Sequence, residues 1–418
     1  MDENLNRPAF RAEKKELIAA LVSYAAAYIY IGDPFHASFD LWLLVFAAAY
    51  IALVEYLCAG RPRAWESWVW LGCMVSSVCA YVFAPCAVWG QFLTFVFAHI
   101  FAVWWAMSRA GVLLEGRSGH FLPLDALNGF ILLPFGNFFL RVRTWWYFAS
   151  RPRREGKKIS TSALLGSIFA VLLAAVLLVS ALNHLSSADA GFGELVGQVT
   201  DFFGNNVDLV NFLFDLLLSL PVGAYVFGLI AGGTRLNAER IGERRTGAES
   251  ALRQIRIVPA RVWSFCLAAF IAVYAVFFAV QGGYLFGAFS RTLPEDMTVA
   301  QYARQGFFEL CRVMALNFVL LWLVTRMSAA PVRERRANLV MCAVLLTESV
   351  LFAVVALSKL ALYIDCFGFT PLRLESTWLV LVLLAGCIAA GCNLLTGRRT
   401  CRAWMIFGAV TLSALCWV

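Results

Sequence analysis

Long apolar runs separated by short polar and charged segments are the main pattern along this chain. A helix that crosses a bilayer needs about 20 mostly apolar residues. Eleven runs reach or approach that length, and the first and the last are the shortest. The pattern predicts an all-α fold, a polytopic integral membrane helix bundle with about 11 transmembrane helices. These runs cover residues 17–32, 40–60, 66–85, 89–109, 162–184, 210–232, 261–284, 306–326, 337–358, 374–396 and 402–418.

The composition supports a membrane location. Hydrophobic residues make up 61% of the chain and charged residues only 14%, and the mean hydropathy is +0.75. A soluble domain has roughly 25% charged residues, so in water this chain would expose apolar surface that it cannot cover. The twelve cysteines lie mostly inside the apolar runs and form no CxxC motif. This placement indicates packing as small hydrophobes rather than a disulfide framework.

The basic residues predict how the chain is threaded through the membrane. With the N-terminus in the cytoplasm, 29 of the 34 Lys and Arg residues fall on the cytoplasmic side, four fall on the outer side, and Arg312 lies inside a span. This asymmetry follows the positive-inside rule. We therefore expect a multi-pass protein of the cell inner (plasma) membrane, with a cytoplasmic N-terminus and an extracytoplasmic C-terminus. The basic residues form short clusters between spans, so the net charge of +8 does not indicate nucleic-acid binding.

One apolar segment, residues 121–139 (FLPLDALNGFILLPFGNFF), differs from the spans. Two prolines and the polar residues Asp125, Asn128 and Asn137 interrupt it. Such residues are poorly suited to a helix that faces lipid, because the freed backbone groups would have no partners. Basic residues flank the segment on both sides, so both of its ends are expected on the cytoplasmic side. The segment is predicted to be a re-entrant or interfacial hairpin at the cytoplasmic face.

The chain is predicted to form a single membrane-embedded domain over residues 1–418. That domain would consist of a four-helix part (1–111), an interfacial basic segment (112–160) and a seven-helix part (161–418). In the middle part three aromatic residues precede the basic stretch Arg151–Lys158, a combination that favours contact with anionic lipid. The expected partners are therefore membrane lipids and, as a further hypothesis, a membrane or cytoplasmic protein. Nucleic acid is not expected.

Four charged residues lie at similar depths inside the predicted spans. One ionised residue at the centre of a membrane helix costs about 2.5–3.5 kcal/mol, so these side chains are expected to face the bundle interior and to neutralise one another. Two of them, on adjacent antiparallel spans, are predicted to form the ion pair Arg312–Glu348. The pair is open to two interpretations: a salt bridge between spans, or part of a path for a substrate or proton. The candidate intramembrane polar cluster is Asp215, Glu309, Arg312 and Glu348.

A second group of polar residues lies at the predicted outer surface, between and beside the eighth, ninth and tenth spans. One interpretation is interfacial anchoring combined with turn formation at Gly368 and Pro371. The other is contact with a lipid headgroup or a substrate. This candidate outer-surface cluster comprises Arg304, Lys359, Tyr363, Asp365 and Arg373.

Two glycine pairs predict close contacts between helices. Gly228 and Gly232 are four residues apart, and so are Gly283 and Gly287. Glycines at this spacing lie on one helix face and allow another backbone to approach.

The chain lacks the common motifs of energised or metal-dependent chemistry. It contains no G-x-x-x-x-G-K-[ST] phosphate loop, no H-E-x-x-H, no Cys/His pair at metal-binding spacing and no G-x-S-x-G elbow. We therefore predict no cofactor, no metal site and no catalytic residues. Whether the protein is an enzyme stays open, with a non-enzymatic role favoured.

Three short stretches carry a resemblance to a known family. They are GGYLFG at 282–287, YARQGFFEL at 302–310 and YIDCFGFTPLRL at 363–374. In these stretches the chain resembles a bacterial multi-spanning membrane family catalogued as domain of unknown function 4173, which is close to 4153. The resemblance implies a multi-pass membrane fold and no established activity. It marks as family-like positions Tyr302, Arg304, Gly306, Glu309, Tyr363, Gly368 and Arg373.

Three functions are compatible with these features. The favoured hypothesis is a structural or signalling component of the cell envelope. One alternative is a permease for a small solute or ion that uses the mid-membrane charges. Another is an intramembrane transferase that acts on a lipid-linked substrate at the outer face. A continuous polar cavity would favour the permease, an open lateral cleft lined by carboxylates would favour the transferase, and a solid bundle would favour the structural role.

Overall fold

The computed structural model describes residues 10–32, 39–84, 88–149, 181, 207–290, 298–304 and 306–417. The predicted fifth span at 162–184 lies outside this part of the chain except for Ala181, and the basic stretch Arg151–Lys158 lies outside it as well. The expected anionic-lipid contact of that stretch therefore stays a prediction.

The described residues form helices joined by short turns. Among these residues the only β-type pairing is one isolated bridge between Val258 and Ser328. A π-helical turn, Asn128–Leu132, joins two of the helices. This architecture confirms the all-α fold class. The helices are α1 (Lys14–Gly32), α2 (Phe39–Leu57), α3 (Trp65–Phe83), α4 (Val88–Ala110), α5 (Leu122–Leu127), α6 (Leu133–Gly136), α7 (Leu140–Ala149), α8 (Val207–Thr234), α9 (Ala238–Gln254), α10 (Ala260–Ser290), α11 (Val299–Arg304), α12 (Phe307–Met327), α13 (Arg336–Phe367), α14 (Pro371–Thr396) and α15 (Cys401–Leu415).

Within the described residues, eight helical runs are long and apolar enough to cross a membrane. Seven of them coincide with predicted spans, and two shorter apolar helices, Leu41–Leu57 and Cys401–Leu415, coincide with two more. The protein is therefore a polytopic all-α membrane protein. The total of 11 spans stays a prediction. The eight runs are Trp65–Phe83, Gly90–Ala110, Leu122–Ala149, Phe214–Thr234, Ala260–Gly282, Ala300–Met327, Arg336–Phe367 and Pro371–Thr396.

Local sequence signals explain where the helices near the second half of the chain begin and end. Pro371 occupies the first turn of α14, where the N–H that proline lacks is not needed. Gly397 ends the same helix with φ +76°, a left-handed conformation that glycine adopts without steric cost, and its N–H bonds to the carbonyl of Asn393 at 2.9 Å. Gly306, with φ +81°, likewise precedes α12. These residues separate long apolar segments into individual helices.

The chain divides into two compact units, and the first comprises Met1–Ala59 and Leu133–Gly232. In this unit α1 and α8 run antiparallel. The rings of Tyr28 and Phe212 lie 6.0 Å apart, and the hydroxyl of Tyr24 donates to the carbonyl of Leu216 at 3.3 Å. The C-terminal half of α8 therefore lies beside the N-terminal half of α1.

The stretch from α6 to α7 doubles back within this unit. Its first part packs on the C-terminal end of α8, where Asn137 lies against Gly232. Arg141 then reaches the carbonyl of Leu220 at 3.3 Å, closer to the middle of α8, and Tyr147 returns to the start of α1, with its ring 6.0 Å from that of Phe10. Because α1 and α8 are antiparallel, both ends of this path lie on the same side. Within the first unit, the path from α6 to α7 therefore turns back on itself, while the hairpin over 121–139 stays a prediction, since Leu122–Ala149 is also long enough to cross a membrane.

The second unit comprises Gly60–Leu132 and Gly233–Val418. Its apolar core lies among α10, α12, α13 and α14. Phe352 of α13 is fully buried there and stacks on Phe278 of α10 with ring centroids 4.8 Å apart. On another side of the unit, Ser413 of α15 donates to the carbonyl of Cys73 in α3 at 3.3 Å. Helix α15, the last of the described helices, is thus packed against α3.

The close contact predicted at Gly228 and Gly232 is confirmed, because both glycines pack against residues 134–137. The surroundings of Gly283 and Gly287 lie outside what the structure describes. A Cβ added at Gly228 would lie 2.6 Å from the backbone oxygen of Pro134, an atom that cannot move away without shifting the backbone of residues 134–137.

We expect Gly228→Ala to destabilise the protein by about 1–3 kcal/mol through overpacking. The matched control is Gly282→Ala in α10, where an added Cβ meets nothing within 4 Å, so its effect should be slight or stabilising. Thermal unfolding of the detergent-purified variants measures both. Equal melting temperatures would contradict the close packing of residues 134–137 on α8.

Candidate functional site

The predicted intramembrane cluster is not assembled as expected. Asp215 is buried in the first unit, whereas the other three residues belong to the second. There Glu348 is buried, but Glu309 and Arg312 are exposed, and no ion pair joins Arg312 to Glu348. The predicted pair is therefore wrong.

The reason is the helical phase of α12. The side of α12 that faces α13 is buried. It carries Leu310, Met314 and Asn317, which follow one another at intervals of four and three residues. Arg312 lies on the opposite side, in line with the exposed Leu316. Two residues at equal depth on adjacent helices form an ion pair only when both side chains point into the interface between those helices.

The buried polar contact between these helices is made instead by uncharged side chains. The hydroxyl of Tyr274 in α10 donates to the Asn317 side-chain oxygen at 2.8 Å, and the Asn317 amide donates to Ser349 Oγ of α13 at 2.8 Å. The Ser349 hydroxyl in turn bonds to the carbonyl of Leu345 at 2.9 Å. This chain of bonds links three helices directly. Beside it, Oε2 of Glu348 is buried and has no hydrogen-bond partner among the described residues.

The predicted outer-surface residues make two separate contacts. Lys359 is fully buried, with Nζ 4.4 Å from the centre of the Tyr302 ring, so helix α11 covers it. Arg373 instead stacks over Tyr363 at 4.1 Å and donates to the carbonyl of Gly368. Both contacts are typical of anchoring and turn formation. The remaining two predicted residues are the exposed Asp365 and Arg304, whose side chain the structure does not describe.

The most elaborate polar arrangement in the second unit surrounds the loop of residues 111–121, which connects α4 to α5. Its centre is the carboxylate of Glu66, which is 0% exposed at the start of α3. This carboxylate accepts the backbone N–H of Ser118 at 3.0 Å, the Ser118 hydroxyl, and the indole N–H of Trp70 at 2.8 Å. Trp104 of α4 donates to the same hydroxyl at 2.8 Å. The loop is therefore bound to α3 and α4.

Arginines from the C-terminal helices complete this arrangement. Arg402 of α15 forms an ion pair with Glu66 at 2.9 Å, and its guanidinium lies 4.4 Å over the ring of Trp65. Arg399, just before α15, pairs with Glu115 of the loop at 3.0 Å. We call this region the basic end of the second unit: the loop 111–121 together with Arg326, Arg399 and Arg402.

Further hydrogen bonds tie the loop to α5 and α12. The N–H of Leu114 donates to the Asp125 carboxylate at 3.0 Å. Arg326, at the end of α12, donates to the carbonyl of His120 at 3.4 Å. Three consecutive helices, α3, α4 and α5, thus meet at one loop with α12 and α15 from the distant C-terminal part of the chain.

Three cavities open around this loop, and His120 lines all of them. The first, of about 570 Å³, lies between the loop and one face of α15. The second, also of about 570 Å³, lies on the other face of α15, among α12, α13 and α14. The third, of about 270 Å³, lies between the loop and the end of α9.

The charge of these cavities is strongly positive. Among the described residues that line them, six are arginines and two are glutamates. Burial and the guanidinium of Arg326 lower the pKa of His120 below its ordinary value of 6.5, so this histidine is neutral at pH 7. The arrangement suits an anion. The charged lining residues are Arg117, Arg253, Arg256, Arg326, Arg399, Arg402, Glu115 and Glu249.

In the part of the chain that the structure describes, no three His, Cys, Asp or Glu side chains come together as metal ligands. The eleven described cysteines are unpaired with one another, and six of them are buried.

The family model for a domain of unknown function (DUF4153) matches residues 70–418. The chain belongs to this family. Searches of the curated proteins and of the solved structures gave no match. The matched range covers the loop 111–121 and the arginines of the basic end, Arg326, Arg399 and Arg402, and it begins four residues after Glu66.

Sequence reasoning missed this site because its arginines had another explanation. Arg399 and Arg402 counted only among the basic residues that orient the chain, and Glu66 was not singled out from the sequence. The available signal was the position of Glu66 between Trp65, Trp68 and Trp70, since a carboxylate among aromatic residues at a helix end needs a partner.

We expect Glu66→Gln to destabilise the protein by about 3–5 kcal/mol, because it breaks a buried ion pair and leaves Arg402 without its anion. The control is Glu249→Gln, whose ion pair with Arg245 is exposed on both sides, at 37% and 44%, so its cost should be small. Thermal unfolding compares the two variants. An equal loss of stability in both would contradict the central role of Glu66.

Lowering the pH should destabilise the protein in part through His120. The folded state resists its protonation, so below pH 6.5 the unfolded chain binds more protons and the free energy of unfolding falls. His120→Gln removes this contribution. The melting temperature should therefore drop less between pH 7.5 and pH 5.5 in the variant than in the wild type, and identical drops would contradict the assignment.

Proposed function

We propose that the protein is a structural or signalling component of the cell inner membrane, rather than a permease or an enzyme, and that its binding surface is the basic end. One observation carries this proposal. Polar side chains at mid-depth in the second unit are used in direct helix–helix bonds, while the cavities open at the basic end.

The direct bonds weigh against a solute path through this unit. Tyr274, Asn317 and Ser349 are each buried and bonded to one another across three helices. None of the three described cavities is lined by a residue of the candidate intramembrane cluster. A permease would need water or solute to reach such polar groups.

The positive-inside rule supports a cytoplasmic location for the basic end. Sixteen of the 22 arginines of the second unit lie in four short segments, 109–117, 235–261, 326–336 and 398–402. Basic segments flanking membrane helices remain in the cytoplasm. The surface would then face the inner leaflet and the cytoplasm, where a lipid or protein partner could contact it.

The permease remains the second candidate because of one feature. Oε2 of Glu348 is buried without a hydrogen-bond partner in the described part of the chain, and buried ionisable groups in membranes often mark ion or proton paths. Thiol labelling separates the two candidates.

Native cysteines provide the reporters. Cys342 and Cys311 are buried near the candidate polar residues, Cys401 lines two cavities at the basic end, and Cys366 is exposed at the other end of α13. A membrane-impermeant maleimide is added to inside-out or right-side-out membrane vesicles, and the labelled peptides are quantified by mass spectrometry. We expect Cys401 to react in inside-out vesicles and Cys366 in right-side-out vesicles. Cys342 and Cys311 should react only after denaturation, which serves as the control.

Two results would contradict the proposal. Labelling of Cys342 in the folded protein would indicate a water-filled path and favour the permease. Labelling of Cys401 from the outer side would place the basic end outside the cell and contradict the orientation.

A further inference from the structure

The second cavity combines an apolar interior with a basic mouth. We call it the α12–α14 cleft. Its interior is formed by aromatic and aliphatic side chains of α12, α13 and α15 and by small residues of α14. Its mouth, at the basic end, carries Arg326, Arg399, His120, Thr325 and Asn393. A volume of about 570 Å³ is within the range of pockets that hold small organic ligands.

The interior is open where α14 presents the small residues Ala389 and Ala390, although Leu394 of the same helix also lines the cleft. Gly386 lies between Phe318 and Trp404, whose rings are stacked with centroids 6.0 Å apart. A Cβ at Gly386 would lie 2.8 Å from the ring of Phe318. One turn further on, Ala389 and Ala390 also line the cleft. The space is therefore bounded by carbon atoms, and an alkyl chain is the group that such a space accepts at least cost.

The mouth is suited to a phosphate group. Arginine has five N–H donors in a planar fork that matches phosphate oxygens. Arg326 uses one bond on the carbonyl of His120, and Arg399 pairs with Glu115 through one nitrogen while remaining 56% exposed. Each guanidinium thus has further donors available, and Thr325 and Asn393 add uncharged polar groups.

We infer that the α12–α14 cleft binds one anionic phospholipid, with its phosphate at Arg326 and Arg399 and one acyl chain along Phe318, Ala389 and Ala390. The inference rests on the proposed function, because it supplies the partner of the basic end and places it at the inner leaflet. An anionic lipid fits both parts of the cleft at once. A water-soluble phosphate would leave the apolar interior unfilled, and a zwitterionic lipid such as phosphatidylcholine would bring a choline cation beside the arginines.

Native mass spectrometry of the purified full-length protein tests this inference. The protein is titrated in detergent with phosphatidylglycerol or with phosphatidylcholine of identical acyl chains. We expect one tightly bound phosphatidylglycerol and weaker binding of phosphatidylcholine. Replacing both arginines, Arg326→Gln with Arg399→Gln, should weaken phosphatidylglycerol binding by about tenfold or more and weaken phosphatidylcholine binding less, because its choline cation offsets the charge of its phosphate.

Two further variants separate the cleft from general surface charge. Arg398→Gln changes the charge at the neighbouring exposed residue, which does not line the cleft, and should bind phosphatidylglycerol like the wild type. Ala389→Leu fills the interior and should weaken binding of both lipids. Ala389 is half-buried and lies outside the apolar core, so this variant is expected to fold, and its melting temperature without added lipid verifies that.

Three outcomes would overturn the inference. The first is equal affinity of the wild type for the two lipids. The second is an equal loss of affinity in the Arg398→Gln variant. The third is displacement of the lipid by millimolar inorganic phosphate or glycerol phosphate, which would indicate a soluble-anion site. Because this titration is made in detergent, it does not depend on membrane orientation, so its failure is distinguishable from failure of the proposed function in the vesicle labelling.

Discussion

The buried carboxylate of Glu66 is the interaction on which the second unit depends. An ionised group at the end of a membrane helix, shielded from water, is stable only with charged and hydrogen-bonding partners. Glu66 obtains them from the loop 111–121 through Ser118 and from α15 through Arg402. The loop then holds α5 and α12 through its own backbone groups. Through Arg402, Glu66 holds the start of α15, which separates the first two cavities.

Further inside the second unit, buried polar side chains also need hydrogen-bonding partners, and they obtain them from uncharged groups. Asn317 accepts from one helix and donates to another, so three helices share a buried polar contact that needs no ion pair. The apolar core around Phe352 packs beside it. The arginines, which are costly to bury, are instead concentrated where α12 and α15 reach the basic end. The uncharged contacts thus lie inside the unit and the cations lie at one end. This separation underlies the proposed function, in which the open, charged surface lies at the membrane boundary.

The α12–α14 cleft lies where these two arrangements meet. Its walls belong to the apolar core, and its mouth belongs to the basic end. The small residues of α14 leave room that the aromatic residues of α12 and α15 do not fill. A lipid bound there would contact the same arginines that hold the loop 111–121. Lipid binding and the packing of α15 are therefore coupled through Arg399, which also pairs with Glu115.

The sequence by itself determined that the chain lies in lipid, that its fold is all-α and where most of its helices are. The reason is that the length of apolar runs and the need to satisfy backbone hydrogen bonds in lipid depend only on local composition. The sequence also indicated the close packing at Gly228, since a glycine lets another backbone approach wherever it lies on a helix face. It failed for the Arg312–Glu348 pair, and it gave no sign that Glu66 and Arg402 meet. Those contacts were decided by the tertiary structure. Depth along a helix can be counted from the sequence, but the direction in which each helix face points is set by how all the neighbouring helices pack.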